Sequence, residues 1–148
     1  MFDIIQEDMI KDLPEELPQV IFDYFRQLIP YTCMDGKMNR GLAAVKTFLV
    51  IKDYRVTDEE LHKACVLGWC IEILQAYFLV EDDIMDRSEM RRGKVCWYKR
   101  PEVGLKAIND GLILESLMYR LTKIYFAGDE SYVHINDMVT GSDADMVT

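Results

Sequence analysis

A chain of 148 residues, half of them apolar and 29% charged, has the make-up of one globular domain that needs neither disulfides nor a metal to stay folded. Its formal charge of −9 excludes a general nucleic-acid binder. Glu72, Gln75 and Glu81 interrupt the most apolar stretch, residues 66–80, so the sequence predicts no membrane span. The acidic opening, residues 1–8, lacks the basic and apolar pattern of a leader, which points to the cytoplasm. Cys33, Cys65, Cys70 and Cys96 form no C-x-x-C pair and read as reduced packing residues.

Helical periodicity runs through nearly the whole chain and predicts an all-α fold. Pro14, Pro18 and Pro30 separate a short opening helix from a second over residues 19–29, followed by a loop over residues 31–36. Gly36-Lys37-Met38-Asn39-Arg40 then enters a helix running from about residue 39 to 52. Lys37 and Arg40, three apart, are placed on one face at a helix start, where anions are favoured; an ordinary surface helix start has the same pattern. Thr57-Asp58-Glu59-Glu60 is a capping box, with two further acids at the positive helix end. The helix it opens meets no proline and only Gly68 up to about residue 87, a length of about 44 Å at 1.5 Å per residue. Pro101 is expected to open the next helix, ending near residue 126. Residues 135–148, rich in Asp and without Lys or Arg, read as a frayed acidic tail after a domain over residues 1–134.

The chemistry concentrates at Asp82-Asp83-Ile84-Met85-Asp86. On a helix Asp82 and Asp86 share a face, with Asp83 three from Asp86, so the carboxylates converge within one turn. Such a cluster is either a solvated acidic helix end or a place for hard cations such as Mg²⁺, whose shell phosphate oxygens complete. The sign of the charge inverts directly afterwards. Residues 87–100 hold six Lys or Arg against Glu89 alone, a local charge of +5 (six minus one). In Arg91-Arg92-Gly93-Lys94 two guanidinium forks suited to phosphate oxygens stand before a glycine turn; a basic surface loop paired with Glu89 is the plainer alternative. Acid beside base in this way suits anions bridged by cations. Tyr77 and Phe78 precede Asp82 by five and four residues, about 6 to 7.5 Å lower on the axis, where aromatic rings can floor a pocket for an apolar tail.

Together these segments carry a family resemblance. Gly36-Lys37-Met38-Asn39-Arg40-Gly41, then Leu67-Gly68-Trp69-Cys70-Ile71-Glu72 leading through Leu74-Gln75-Ala76 to Asp82-Asp83-Ile84-Met85-Asp86, resemble the eukaryotic farnesyl diphosphate synthases of the isoprenyl diphosphate synthase family. Arg91-Arg92-Gly93, Cys96-Trp97-Tyr98, Pro101-Glu102-Val103-Gly104, Ala107-Ile108-Asn109-Asp110 and Leu114-Glu115-Ser116 continue the likeness. The resemblance implies a helical bundle of the isoprenoid synthase type and a prenyltransferase joining isopentenyl diphosphate to an allylic diphosphate, dimethylallyl or geranyl, with Mg²⁺. It implies that Asp82 and Asp86 hold the metal, that Asp83 supports them and that Arg91 contacts the allylic diphosphate. Gly36, Lys37, Arg40, Gln75 and Arg92 would receive isopentenyl diphosphate, Tyr77 and Phe78 would set chain length, and a complete chain would pair as a homodimer. Two departures stand out. The family's second Asp-rich motif is missing, so this chain reads as a truncated first part, inactive alone; the alternative is a non-catalytic truncated isoform or fragment that only binds diphosphates or a full-length partner. Glu81 stands where a small or apolar residue is expected, as a fourth carboxylate beside the metal site.

Overall fold

The computed structural model describes residues 1–11 and 13–146, the side chains as far as Gly141. Six helices carry the fold: α1 Phe2–Ile10, α2 Gln19–Cys33, α3 Asn39–Ile51, α4 Asp58–Met85, α5 Lys106–Phe126 and α6 Tyr132–Met146. The all-α reading holds. α4 is the central helix, with α3 along one flank and α5 along another. Its buried face, including Val66, Cys70, Ile73, Ala76 and Val80, meets Ile5 and Met9 of α1, Leu28 and Ile29 of α2, and Leu114, Met118 and Leu121 of α5 in one core.

The start of α4 is built as its sequence dictates. The Thr57 backbone N–H donates to the Glu60 carboxylate at 2.8 Å, and the Glu60 backbone N–H donates to the Thr57 hydroxyl at 3.2 Å. Those bonds hold the Glu60 carboxyl below its usual 4.5, the Thr57 backbone donor contributing most, then Lys52 and the Thr57 hydroxyl. Replacing Thr57 by Ala is expected to cost about 1 kcal/mol in urea unfolding, the typical value of an N-cap. A carboxyl with a depressed folded pKa adds stability that is full above its unfolded value and is lost as pH falls through the folded one. Alanine keeps the backbone donor and loses only the hydroxyl's smaller share of this shift, so the gap between wild type and Thr57→Ala narrows slightly below pH 4.5.

Several boundaries differ from the expectation. α2 runs through Pro30 to Cys33. A proline removes the N–H that would bond the carbonyl four residues back, here that of Arg26, and the Gln6 side-chain amide of α1 donates to that carbonyl at 3.4 Å. The carbonyl that the proline leaves without its helical donor thus has a partner from another helix. α5 starts at Lys106, because turns occupy residues 101–105, Gly104 is left-handed (φ 56°), and Trp97 and Val103 are drawn into the core on either side of Pro101. α4 stops at Met85, with Asp86 as its cap and Arg87 left-handed at φ 54°.

Two features were invisible to periodicity. β1 Met90–Arg91 and β2 Lys94–Val95 form a two-residue hairpin. Its turn residues Arg92 (φ 52°) and Gly93 (φ 76°) are both left-handed, the geometry that matches the twist of a tight hairpin. The second is α6, which occupies the stretch expected to fray. Ile135 and Val139, four apart, are buried on its inner face, and burial of that stripe outweighs a polar composition. Val147 and Thr148, the end of that expected tail, lie outside the described residues.

α4 is also long and apolar enough, by length and composition, to cross a bilayer, so Glu72, Gln75 and Glu81 interrupt it less than the sequence reading held. In the fold it lies between other helices, and Glu72 is spent on a hydrogen bond to α3.

Candidate functional site

Gln75, Phe78, Leu79 and Asp82 recur at helical spacing along one face of α4. With Arg40, at the start of α3, they line an open cleft of about 420 Å³. The structure therefore joins cation, amide, aromatic ring and carboxylate from two segments 35 residues apart at their nearest (75 minus 40).

Asp83, one position on, turns the other way. It is 4% exposed, and its Oδ1 accepts from Arg91 Nε at 2.8 Å and lies 2.7 Å from Arg91 Nη2. Arg91 also lies 3.8 Å from the exposed Asp82 carboxylate. These two acids, Asp83 foremost, push the Arg91 guanidinium pKa further up. Burial and then Asp83 push the neighbouring Cys96 thiol to about 11, so it stays protonated. Asp83, Arg91 and Arg92 line a second, tight cavity of about 40 Å³ with Tyr31 and Trp97.

The hairpin turn is pinned to α2. Tyr31 donates its hydroxyl to the Val95 carbonyl at 2.7 Å, and Arg92 Nη1 donates to the Met34 carbonyl at 3.2 Å. A side chain on Gly36 would begin 2.7 Å from the Arg92 Cζ, so glycine is what lets that guanidinium lie over the turn between α2 and α3. Arg92 and Gly36 are thus brought together as expected. Lys37 is not on the Arg40 face: it precedes α3, and the left-handed Met38 (φ 50°, ψ 31°) between them rotates it out of helical register. Lys37 and Asp86 line neither cavity.

Tyr77 and Phe78 are half-buried and stack on each other, centroids 4.9 Å apart. Phe78 faces the cleft one turn from Asp82.

The carboxylates fit a metal in one specific way. Among the described residues no three His, Cys, Asp or Glu side chains gather as a metal-holding group. Asp83 is committed to Arg91, which leaves Asp82 and Asp86, both exposed and one turn apart. Two carboxylates are the share a protein gives to Mg²⁺ when phosphate oxygens and water supply the rest.

Glu81 is a correction to the sequence reading. It does not join the acid cluster: one residue of rotation before Asp82 turns it toward α5, where Oε1 lies buried against Gly111 with no hydrogen-bond partner. Burial pushes its carboxyl pKa up. Gly111 provides the space a side chain would fill.

Comparison with known proteins resolves which family this geometry serves. The family model described as polyprenyl synthetase matches residues 22–147. The chain belongs to the polyprenyl synthetase family. Among its curated relatives, farnesyl pyrophosphate synthase 2 of Parthenium argentatum is 40% identical over 138 residues, 93% of this chain and 40% of that protein. Farnesyl pyrophosphate synthase of Saccharomyces cerevisiae is 45% identical over 125 residues, 82% of this chain and 36% of that one. The bifunctional chrysanthemol synthase of Tanacetum cinerariifolium is 41% identical over 138 residues, 93% of this chain and 35% of that protein. This polyprenyl synthetase chain spans about 40% of the length of the first of these relatives.

Sequence reasoning missed one member of the site's framework. Glu72 is buried and accepts the Gly41 backbone N–H at 2.8 Å. The signal was present as Gly68 and Glu72, a glycine and an acid one turn apart on the same face of an apolar helix.

Proposed function

We propose that the chain is the substrate-binding first part of a prenyltransferase that condenses isopentenyl diphosphate with an allylic diphosphate to give farnesyl diphosphate. The observation that carries this reading is the single cleft in which Arg40 of α3 faces Gln75, Phe78 and Asp82 of α4, beside the Arg91-Arg92 hairpin. The names of the Parthenium and Saccharomyces relatives support it. The Tanacetum relative is named for a different product, so product identity rests on the cleft and not on family membership.

In this reading Arg40, Gln75 and Arg92, with Lys37 and the Gly36 backbone, receive the isopentenyl diphosphate. Asp82 and Asp86 would hold Mg²⁺, which would supply positive charge to stabilise the allylic diphosphate as a leaving group. Asp83 keeps Arg91 beside Asp82, so that the guanidinium meets the same leaving group. The allylic carbon–oxygen bond breaks with its electron pair going to the released diphosphate, the terminal carbon of the isopentenyl double bond joins the allylic carbon, and the proton lost from the resulting cation to form the new double bond passes to that diphosphate. Phe78 and Tyr77 wall the side on which the growing tail lies. The working form is a homodimer, and four free cysteines suit the reducing cytoplasm.

The test is incorporation of radiolabelled isopentenyl diphosphate by the 148-residue chain, beside a longer chain completed to the length of the Parthenium relative. The short chain is expected to show negligible turnover, because its cleft lies open to water and an allylic cation needs a dry pocket. The longer chain is expected to make the C15 diphosphate. Failure of the longer chain to transfer prenyl groups overturns the reading.

A further inference from the structure

We propose that Glu72 is a positioning residue: from the middle of α4 its carboxylate holds the first turn of α3, and through it Arg40, against the cleft. The proposal rests on the reading of Arg40 as a diphosphate-binding cation.

A helix leaves its first backbone N–H groups without intrahelical partners, and a side-chain cap ordinarily satisfies one of them. α3 has no such cap, since its N-cap residue is the left-handed Met38. The N–H of Gly41, third residue of α3, goes instead to Glu72 Oε1 at 2.8 Å. The carboxylate thereby also meets the positive end of the α3 dipole. Glu72 is 5% exposed, and a carboxylate removed from water to that extent is costly unless it is hydrogen-bonded or compensated. The Gly41 bond at the helix start supplies both.

The two helices come close enough for this bond because of a pair of glycines. A methyl group on Gly41 would begin 2.6 Å from the Gly68 carbonyl oxygen, and one on Gly68 would begin 2.9 Å from the Gly41 carbonyl oxygen. Gly68 sits one turn before Glu72, so the backbone contact and the carboxylate act on the same point of α3. That point is the anchor of the helix, for Gly41 is the buried residue of α3. Arg40 is the residue immediately before it in the chain, and it is exposed. Among the described residues it forms no ion pair, so its backbone is what aims it across the cleft at Gln75 and Asp82.

Calorimetric titration of the 148-residue chain with inorganic diphosphate, once in EDTA and once with Mg²⁺, separates this role from general stability. The EDTA titration reads the α3 cation site, and the increment with Mg²⁺ reads Asp82 and Asp86. Glu72→Ala is expected to weaken diphosphate about tenfold in EDTA, the scale of one lost charge-assisted hydrogen bond, and to leave the Mg²⁺ increment in place. Glu72→Gln keeps an oxygen for the Gly41 N–H and is expected to bind as wild type does. Hydrogen exchange at the Gly41 amide reads the bond itself, slow in wild type and Glu72→Gln and fast in Glu72→Ala. If Glu72→Ala does not fold, Gly68→Ala takes its place, since its methyl pushes α3 away with Glu72 intact and should produce the same selective loss. Unchanged affinity in EDTA, or equal loss in both titrations without rescue by Glu72→Gln, overturns the positioning role alone. A wild-type chain that binds no diphosphate in EDTA overturns the assignment of Arg40, and this role with it.

Discussion

Asp82→Ala, made in a chain completed to the length of its relatives, is expected to lower kcat on the order of 100- to 1000-fold, the loss typical when one preorganised stabiliser of a departing charge is removed. The structure separates the three acids of the motif into two tasks. Asp83 is buried under Arg91, while Asp82 and Asp86 stand exposed one turn apart. Removing Asp82 therefore deletes half of the pair that fits Mg²⁺ and leaves the buried ion pair untouched. Folding should be unaffected, because Asp82 is 52% exposed and its contact with Arg91 at 3.8 Å is of the surface kind that contributes little. Stability by urea unfolding and turnover with radiolabelled isopentenyl diphosphate are the two measurements. A variant that unfolds at the wild-type midpoint yet turns over normally removes Asp82 from the chemistry. Asp83→Ala is the instructive contrast: it strands Arg91 part-buried without its partner, so stability and activity should fall together.

The second large effect is on product length. Tyr77→Ala combined with Phe78→Ser, again in the longer chain, is expected to shift products from C15 toward C20 and beyond. Phe78 lines the cleft one turn from Asp82, and Tyr77, which does not line it, backs that ring with centroids 4.9 Å apart, so removing Tyr77 is expected to free the space behind Phe78. Discrimination by fit alone is worth about 1 to 3 kcal/mol for a methylene-sized difference, too little to stop elongation sharply, so a stop at C15 requires a steric one. Neither substitution touches a carboxylate or an arginine, and ionisation of the allylic substrate should survive. Chromatography of the dephosphorylated products decides the matter. An unchanged C15 product at near-normal rate would identify the rings as core packing.

Much of the helical architecture was legible in the chain. The capping box at Thr57 and Glu60 and the proline-free run behind it announce α4 because both are local: a cap needs residues three apart, and helix continuation needs only the absence of a breaker. The same holds for the left-handed turn at Gly93. Pro30 shows the limit of local rules. The helix continues past it, the carbonyl it orphans takes the Gln6 amide from another helix, and no periodicity in α2 reports on that contact. Over residues 135–146 a helix stands where a frayed tail was expected, for the same reason, since two buried residues four apart, Ile135 and Val139, outweigh the polar composition.

The candidate site divides along the same line. Sequence alone determined which residue types are available and which share a helix: the aspartates within one turn, the adjacent arginines and the aromatic pair below them, because helical spacing sets those relations. Only the tertiary structure decided what each side chain does with its neighbours. It turned Asp83 to Arg91 and Glu81 to Gly111, left Asp82 and Asp86 facing water, set Arg92 over Gly36 and took Lys37 out of helical register with Arg40. The turns of Asp83 and Glu81 and the exposure of Asp82 and Asp86 depend on which face of α4 meets its neighbours. That choice is made by burial of the apolar stripe and by the Gly41–Gly68 crossing, contacts between residues far apart in the chain.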